Sequence, residues 1–159
     1  MFMSRNRSQE RLALLTYVKL MRAANSARNF AARTLTGTGL TLTQFAVLEA
    51  LYHLGPMSLS DIAQKVLTTG GNLTMVAGNL EKQGLIERHS PPEDKRVQIT
   101  ALTSKGKTLI RQVFPRHAAA IVEFLAVLNP EEQVRLGDLC RKLGRREILK
   151  GASSTNTAQ

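Results

Sequence analysis

The strongest constraint on this chain lies just after Gly84, where the spacing of its apolar residues changes. Before that point apolar residues recur at helical spacing. After it, "LIERHS" and "VQITALT" are short and rich in β-formers, and "PPEDKR" separates them. Two short strands about a proline-containing turn make a hairpin. Its position narrows the fold further, because two short helical segments joined by a tight turn precede it directly. They are "SLSDIAQKV" and the stretch from Gly70 to Gly84, with "LTT" between them. That is a helix-turn-helix outline, and a hairpin directly behind one is a wing.

The second of these helices has an unusual composition. Leu73, Val76, Ala77 and Leu80 share one face. Opposite them stand Gly71, Met75, Gly78 and Lys82, flanked by Asn72, Thr74 and Asn79. A glycine in an exposed helix costs roughly 1 kcal/mol relative to alanine, and solvent-facing helices prefer long charged residues. A small, nearly uncharged face instead suits close approach to another surface. The free N–H groups of the first turn, with Thr69 as its expected cap, suit phosphate oxygens. Thr and Asn side chains can hydrogen-bond bases or phosphates. The candidate nucleic-acid contacts on this helix are therefore Thr69, Gly70, Gly71, Asn72, Thr74, Met75 and Asn79. The bland alternative is a loose first turn with no partner.

Charge agrees with an acidic partner. The formal net charge is +10, from 22 Lys and Arg against 12 Asp and Glu. Residues 1–40 hold seven basic side chains and one acid, residues 88–107 five and two, and residues 141–159 five and one. Basic character thus sits at both ends and in the wing. Nucleic acid is the first partner such a distribution suggests. In the wing, Arg88, Lys95 and Arg96 are candidate contacts. Asp94, two residues before Arg96, can orient its guanidinium at the hairpin tip. An arginine held there can enter a minor groove, whose negative potential attracts it.

The flanks are helical. Leu14, Tyr17, Val18, Met21, Ala24 and Ala31 predict a helix near 8–35, broken by "TGTGL". Thr41 and Gln44 stand at capping-box spacing and open a helix that Gly55-Pro56 ends. Ser58 and Asp61 repeat that spacing. Thr103 is the expected cap of a helix to about Leu128, interrupted by Pro115. Asn129, Pro130, Glu131 and Glu132 form a strong helix start. Leu136, Leu139, Cys140 and Leu143 follow as an apolar stripe, on which a buried thiol is expected. "GASSTNTAQ" reads as a disordered tail, 151–159.

"LTLTQFAVLEAL", "LSDIAQKV", "LTMVAGNLEKQGLIERHSPPEDKR" and "LTSKG" occur in one order. Together they resemble the MarR family of winged helix-turn-helix transcription regulators, from about residue 40 to 107. The resemblance implies a homodimer held by outer N- and C-terminal helices, and a repressor released by a small, phenolic or quinone-like ligand. It aligns the glycine-bearing helix with the family's recognition helix and Thr74 with a DNA-contacting position. It aligns Asp94 and Arg96 with the Asp-x-Arg wing motif. Some members carry arginine just after that threonine; this chain has Met75, so bidentate guanine reading from there is ruled out. The ligand crevice would draw on Tyr17, Met21 and Phe45, each of which ordinary core packing explains as well.

Other classes find little support. No phosphate-binding loop, nucleophile elbow or paired-carboxylate motif is present, so an enzyme is not expected. His53, His89, His117 and Cys140 form no short metal-binding motif, so neither metal nor cofactor is expected. No apolar run reaches the roughly 20 residues of a membrane span. The first ten residues lack a signal-peptide pattern, and one cysteine suits a reducing cytoplasm. The expected architecture is mainly α with a small β-wing, a single domain over 1–150. The winged module covers about 41–103, and dimerisation helices cover about 8–35 and 104–150. The expected function is sequence-specific repression at a palindromic duplex operator. Two rivals remain: a nonspecific architectural nucleic-acid binder, and a small-molecule binding protein with an incidental basic surface.

Overall fold

A computed structural model describes residues 2–66, 70–90 and 98–153. The chain divides into two compact units, residues 1–121 and 122–159. The first begins with α1 (Phe2–Arg33), then α2 (Leu42–Leu54), β1 (Met57–Ser58), α3 (Leu59–Val66) and α4 (Gly70–Lys82). β2 (Ile86–His89), β3 (Ile99–Leu102) and most of α5 (Ser104–Leu125) complete it. The second unit contains α6 (Pro130–Ser153). The class is mainly helical with a small sheet, as expected.

Several helix starts follow from local chemistry. Thr41 caps α2 with a complete capping box: its hydroxyl accepts from the Gln44 N–H, and the Gln44 Oε1 accepts from the Thr41 N–H at 2.8 Å. Ser58 Oγ accepts from the Asp61 N–H at 3.2 Å and donates to the Asp61 carboxylate at 2.7 Å. Asn129 and Glu132 exchange backbone and side-chain bonds, both 2.9 Å, ahead of α6. These bonds satisfy N–H groups that a helix start leaves without intrahelical partners.

α5 continues through Pro115 and ends at Leu125, three residues before the expected stop. α1 begins earlier than expected and ends at Arg33 in a turn over 34–39.

The sheet has three strands in the order β1-β3-β2, all antiparallel. The hairpin strands β2 and β3 match expectation. β1 is an addition: two residues, with Met57 opposite Thr100 and Ser58 opposite Ile99. So short a strand has no readable alternation, and β3 recruits it. On the hairpin, Ile86 pairs with Leu102 and Arg88 with Thr100. Residues two apart share a sheet face, so Ile86, Arg88, Thr100 and Leu102 all belong to the inward face. Glu87 and His89 belong to the outer one.

The core lies among α2, α3, α4, α5 and the sheet. Phe45, Leu48, Ile62, Leu73, Leu80, Ile86 and Ile110 are its largest fully buried side chains. Fully burying one such side chain contributes about 1.5–3 kcal/mol.

α4 stops at Gly84, whose φ of +67° would strain any other residue. Leu85 N–H bonds the Leu80 carbonyl at 3.0 Å and Gly84 N–H the Glu81 carbonyl at 2.8 Å, a Schellman closure. The start of α5 then grips this turn. Thr103 Oγ1 donates to the Gly84 carbonyl at 2.7 Å, and Lys105 Nζ to the Gln83 carbonyl at 2.7 Å. Thr103 Oγ1 also accepts from the Gly106 N–H at 3.0 Å.

Gly106 is buried where α5 crosses Leu85. A Cβ there would overlap the Leu85 carbonyl oxygen and lie 3.2 Å from Leu102 Cδ2. Alanine in a helix ordinarily gains about 1 kcal/mol over glycine. Here the backbone overlap dominates, and Gly106→Ala destabilises the fold by about 1–3 kcal/mol, the usual range for overpacking. Urea unfolding of the variant beside the parent measures it. A variant of equal or greater stability would show that α5 can shift away from Leu85 without loss.

Candidate nucleic-acid interface

α3 and α4 are the two helices of the outline, and α4 is divided cleanly into two faces. Leu73, Val76, Ala77 and Leu80 are buried, none more than 7% exposed. Asn72, Thr74, Met75, Asn79 and Lys82 are exposed, and Gly78 is half-buried. Met75 is 62% exposed, a large apolar side chain with no core to serve. Burial of the first face therefore presents the second outward as a small, polar strip. A Cβ added at Gly78 meets nothing within 4 Å. Among the described residues, no packing demands a glycine there.

Gly70 and Gly71 form the start of α4. Thr69, Asp94, Lys95 and Arg96 lie outside the described residues, as does the expected "LTT" turn.

Arg88 occupies a different place from a wing tip. It lies on β2 near the C-terminal turn of α4, on the inward-facing side of the sheet. Its Nε donates to Glu81 Oε2 at 3.0 Å and its Nη2 reaches the same oxygen. The Arg88 side chain is 24% exposed and that of Glu81 37%. The hydrogen bond to Arg88 is the main reason the Glu81 carboxyl titrates below the ordinary carboxylate value. The same bond raises the Arg88 guanidinium above its ordinary value. Sequence reasoning missed Glu81. The available signal was parity: Arg88 is two residues from the buried Ile86, so it had to face the helices.

The three crevice candidates fall into different environments. Phe45 is 1% exposed and belongs to the core. Its ring lies 4.3 Å from that of His117, tilted by 46°. Tyr17 and Met21 are 61% and 42% exposed on α1. Most of α1's large apolar residues are exposed, whereas Ala31 near its end is buried, so among the described residues Tyr17 and Met21 do not share the core environment of Phe45. The expected burial of Cys140 is also corrected. Cys140 is exposed, and so are Leu136, Leu139 and Leu143 on the same stripe. The stripe exists as read, but nothing described in its own unit covers it.

Beside Phe45, His117 is buried and its Nδ1 lies 2.8 Å from Thr34 Oγ1. The Thr34 hydroxyl has one proton, which it donates to the Ala31 carbonyl at 2.7 Å. Nδ1 must therefore be the donor to Thr34. The neutral ring carries its hydrogen there and leaves Nε2 as an acceptor. Among the described residues, no group of three or more His, Cys, Asp or Glu is placed to hold a metal ion. No described helix is long and apolar enough to cross a membrane.

Packed helices, a helix-turn-helix pair whose second helix stops at Gly84, and a three-stranded sheet with a β2–β3 hairpin define a winged helix-turn-helix protein. Comparison with known proteins narrows that class. Residues 40–97 match the MarR family. The chain is 36% identical over 132 residues to the HTH-type transcriptional regulator MhqR of Bacillus subtilis, covering 83% of this chain and 91% of that one. Among solved structures it is similar to BpsR of Bordetella bronchiseptica, whose DNA binding is regulated by 6-hydroxynicotinic acid. That match has 27% identity and a TM-score of 0.74, covering 82% of this chain and 98% of the other. It is also similar to the MarR-family regulator Sco3205 of Streptomyces coelicolor, solved in complex with DNA. There the identity is 26% and the TM-score 0.76, over 82% and 84% of the two chains. The chain belongs to the MarR family, and is a transcriptional regulator rather than an enzyme.

Burial holds the His117 imidazolium form down, so its pKa lies below the ordinary 6.5, with the Glu49 charge opposing that shift. A depressed folded-state pKa means the unfolded chain takes up the proton first as pH falls. The contribution of His117 to stability is therefore complete above 6.5 and is lost as pH falls through the folded value. His117→Gln, which keeps an N–H donor for Thr34, should flatten the fall in unfolding free energy between pH ~8 and ~5.5. Urea titrations of both proteins across that range check it; identical slopes would place the proton uptake elsewhere.

Proposed function

We propose that this protein is a sequence-specific, duplex-DNA-binding repressor. It acts as a homodimer on a palindromic operator and is released by a small, phenolic or quinone-like ligand. The observation that carries the reading is the outward face of α4. A helix with its apolar stripe buried and a strip of Asn72, Thr74, Met75, Gly78 and Asn79 turned out is shaped for a groove. The DNA complex of Sco3205 supports the same reading.

In this mechanism Gly70 and Gly71 allow the start of α4 to approach phosphates closely. Asn72, Thr74 and Asn79 hydrogen-bond base edges or phosphates. Met75 offers apolar contact to a thymine methyl group rather than a guanidinium to guanine. The Thr69 hydroxyl would serve the free N–H groups of the first turn. Lys95 and Arg96 on the wing, with Asp94 orienting the arginine, reach the neighbouring minor groove. A regulator of this kind works in the cytoplasm, where it meets duplex DNA.

Dimer symmetry sets the spacing of two recognition helices, which must match major grooves roughly 34 Å apart. The exposed apolar residues of α1, among them Leu12, Leu14 and Tyr17, support burial against a second copy. Leu136, Leu139 and Leu143 of α6 do the same for that helix. Apolar faces this extended are uncommon on monomers. A ligand releases DNA only if it binds the non-DNA arrangement more tightly. The regulation of BpsR by a hydroxylated aromatic acid supports an aromatic effector.

Selection of bound duplexes from a random pool tests the function directly. A palindromic consensus is expected. Binding without a sequence ratio would favour an architectural binder, and no binding at physiological salt would favour an incidental basic surface. Gly78→Glu then tests the face itself. The fold has room for the side chain, so thermal stability should hold or rise by up to about 1 kcal/mol. Operator binding should be lost, because bulk and negative charge would meet phosphates. A variant that melts no lower and binds as well as the parent would remove α4 from the interface.

The dimer has its own test. Leu136→Glu with Leu139→Glu places two carboxylates on the α6 stripe and should convert the sedimenting species to a monomer. A stable dimer of this variant would put the interface elsewhere.

A further inference from the structure

We propose that Glu81 and Arg88 are positioning residues for operator recognition. Their ion pair fixes the wing against the recognition helix so that both can engage one duplex. The inference rests on the DNA-binding reading above and deepens it. It gives a role to the one acidic side chain of α4, which stands close to a surface that must meet phosphates.

Three observations lead here. Glu81 lies seven residues after Thr74, so the two share one flank of the helix. A free carboxylate on that flank would repel DNA. Second, Arg88 commits both Nε and Nη2 to a single oxygen of Glu81. The pair is therefore oriented by two donors, rather than being a loose surface contact. Third, the partners sit on different elements, α4 and β2, either side of the Gly84 turn. The Gly84 turn and the Thr103 grip anchor one end of the junction. The pair closes the other side, nearer the wing.

The two simple roles these residues could have without positioning predict different results. If Arg88 were a phosphate contact, its loss would weaken all duplexes alike and flatten the salt dependence. If Glu81 were an incidental acid, its neutralisation would relieve repulsion and strengthen binding. Positioning predicts that neutralising either residue lowers operator affinity, although the two changes have opposite effects on net charge.

The experiment uses the full-length protein, with the duplex selected from a random pool and a scrambled duplex of equal length. Glu81→Gln, Arg88→Gln, Arg88→Lys and the Glu81→Gln, Arg88→Gln double variant are titrated over a range of salt. Glu87→Gln, on the outer face of β2, controls for removal of one carboxylate nearby. Each single variant of the pair should lose roughly threefold to tenfold in operator affinity. Arg88→Lys should also lose affinity, because it keeps the charge but not the fork. The scrambled duplex should bind Glu81→Gln at least as well as the parent, so the specificity ratio falls. The double variant should lose no more than a single one, the mark of coupled residues.

Equal or tighter operator binding by Glu81→Gln would overturn the proposal. So would loss by Arg88→Gln alone with a log–log salt slope shallower by about one, which would make Arg88 a direct phosphate contact. If the parent selects no duplex, the DNA-binding reading itself fails and the proposal falls with it. Thermal melting should stay close to the parent throughout, since a half-exposed ion pair adds little stability.

Discussion

Leu73, Val76, Ala77 and Leu80 must leave water together, and most of this structure depends on how they do so. All four occupy one stripe of α4. Burying that stripe against α2, α3 and the sheet fixes the rotation of the helix about its own axis. Once it is fixed, the opposite stripe of Asn72, Met75, Gly78 and Asn79 lies on the outward side of the helix. The candidate interface is thus a consequence of hydrophobic packing on the other side of the same helix. The cost of glycine in that stripe, roughly 1 kcal/mol for each exposed position, is small beside the burial of two leucines, about 1.5–3 kcal/mol each.

The wing is held to this helix by short-range chemistry. Gly84 turns the chain sharply, Thr103 and Lys105 satisfy carbonyls that the end of α4 exposes, and Gly106 lets α5 cross Leu85 at backbone contact. The Glu81–Arg88 pair adds an electrostatic tie on the wing side. Helix, turn and hairpin strands are thus joined by contacts on both sides of Gly84.

Legibility varied with the range of the interaction. The capping boxes at Thr41 and Asn129, the stop at Gly84 and the apolar stripe of α4 are local, and each was readable because its partners lie within a few residues. The hairpin was readable from its change of period. β1 was not, since two residues carry no alternation and pairing with β3 alone makes them a strand. Arg88 was read as a wing contact from its charge, while its partner lies seven residues back across a turn. The buried cluster of Phe45, His117 and Thr34 joins residues up to 83 apart, and no spacing rule connects them. Cys140 departs from its expected burial for a different reason. Its stripe was correctly periodic, but periodicity says that a face seeks cover and not that the same chain provides it.

By itself, then, the sequence determined where helices start and stop, which of their faces are apolar, and that a hairpin follows a helix-turn-helix. Those features depend on backbone hydrogen-bonding and on side chains three or four residues apart, which any reader of the chain can count. Tertiary structure decided which polar groups were spent within the fold and which stayed exposed. It tied Arg88 to Glu81, set the His117 proton on Nδ1, buried Phe45 and left Met75 in solvent. Such outcomes depend on the desolvation and mutual orientation of groups brought together only when the core closes.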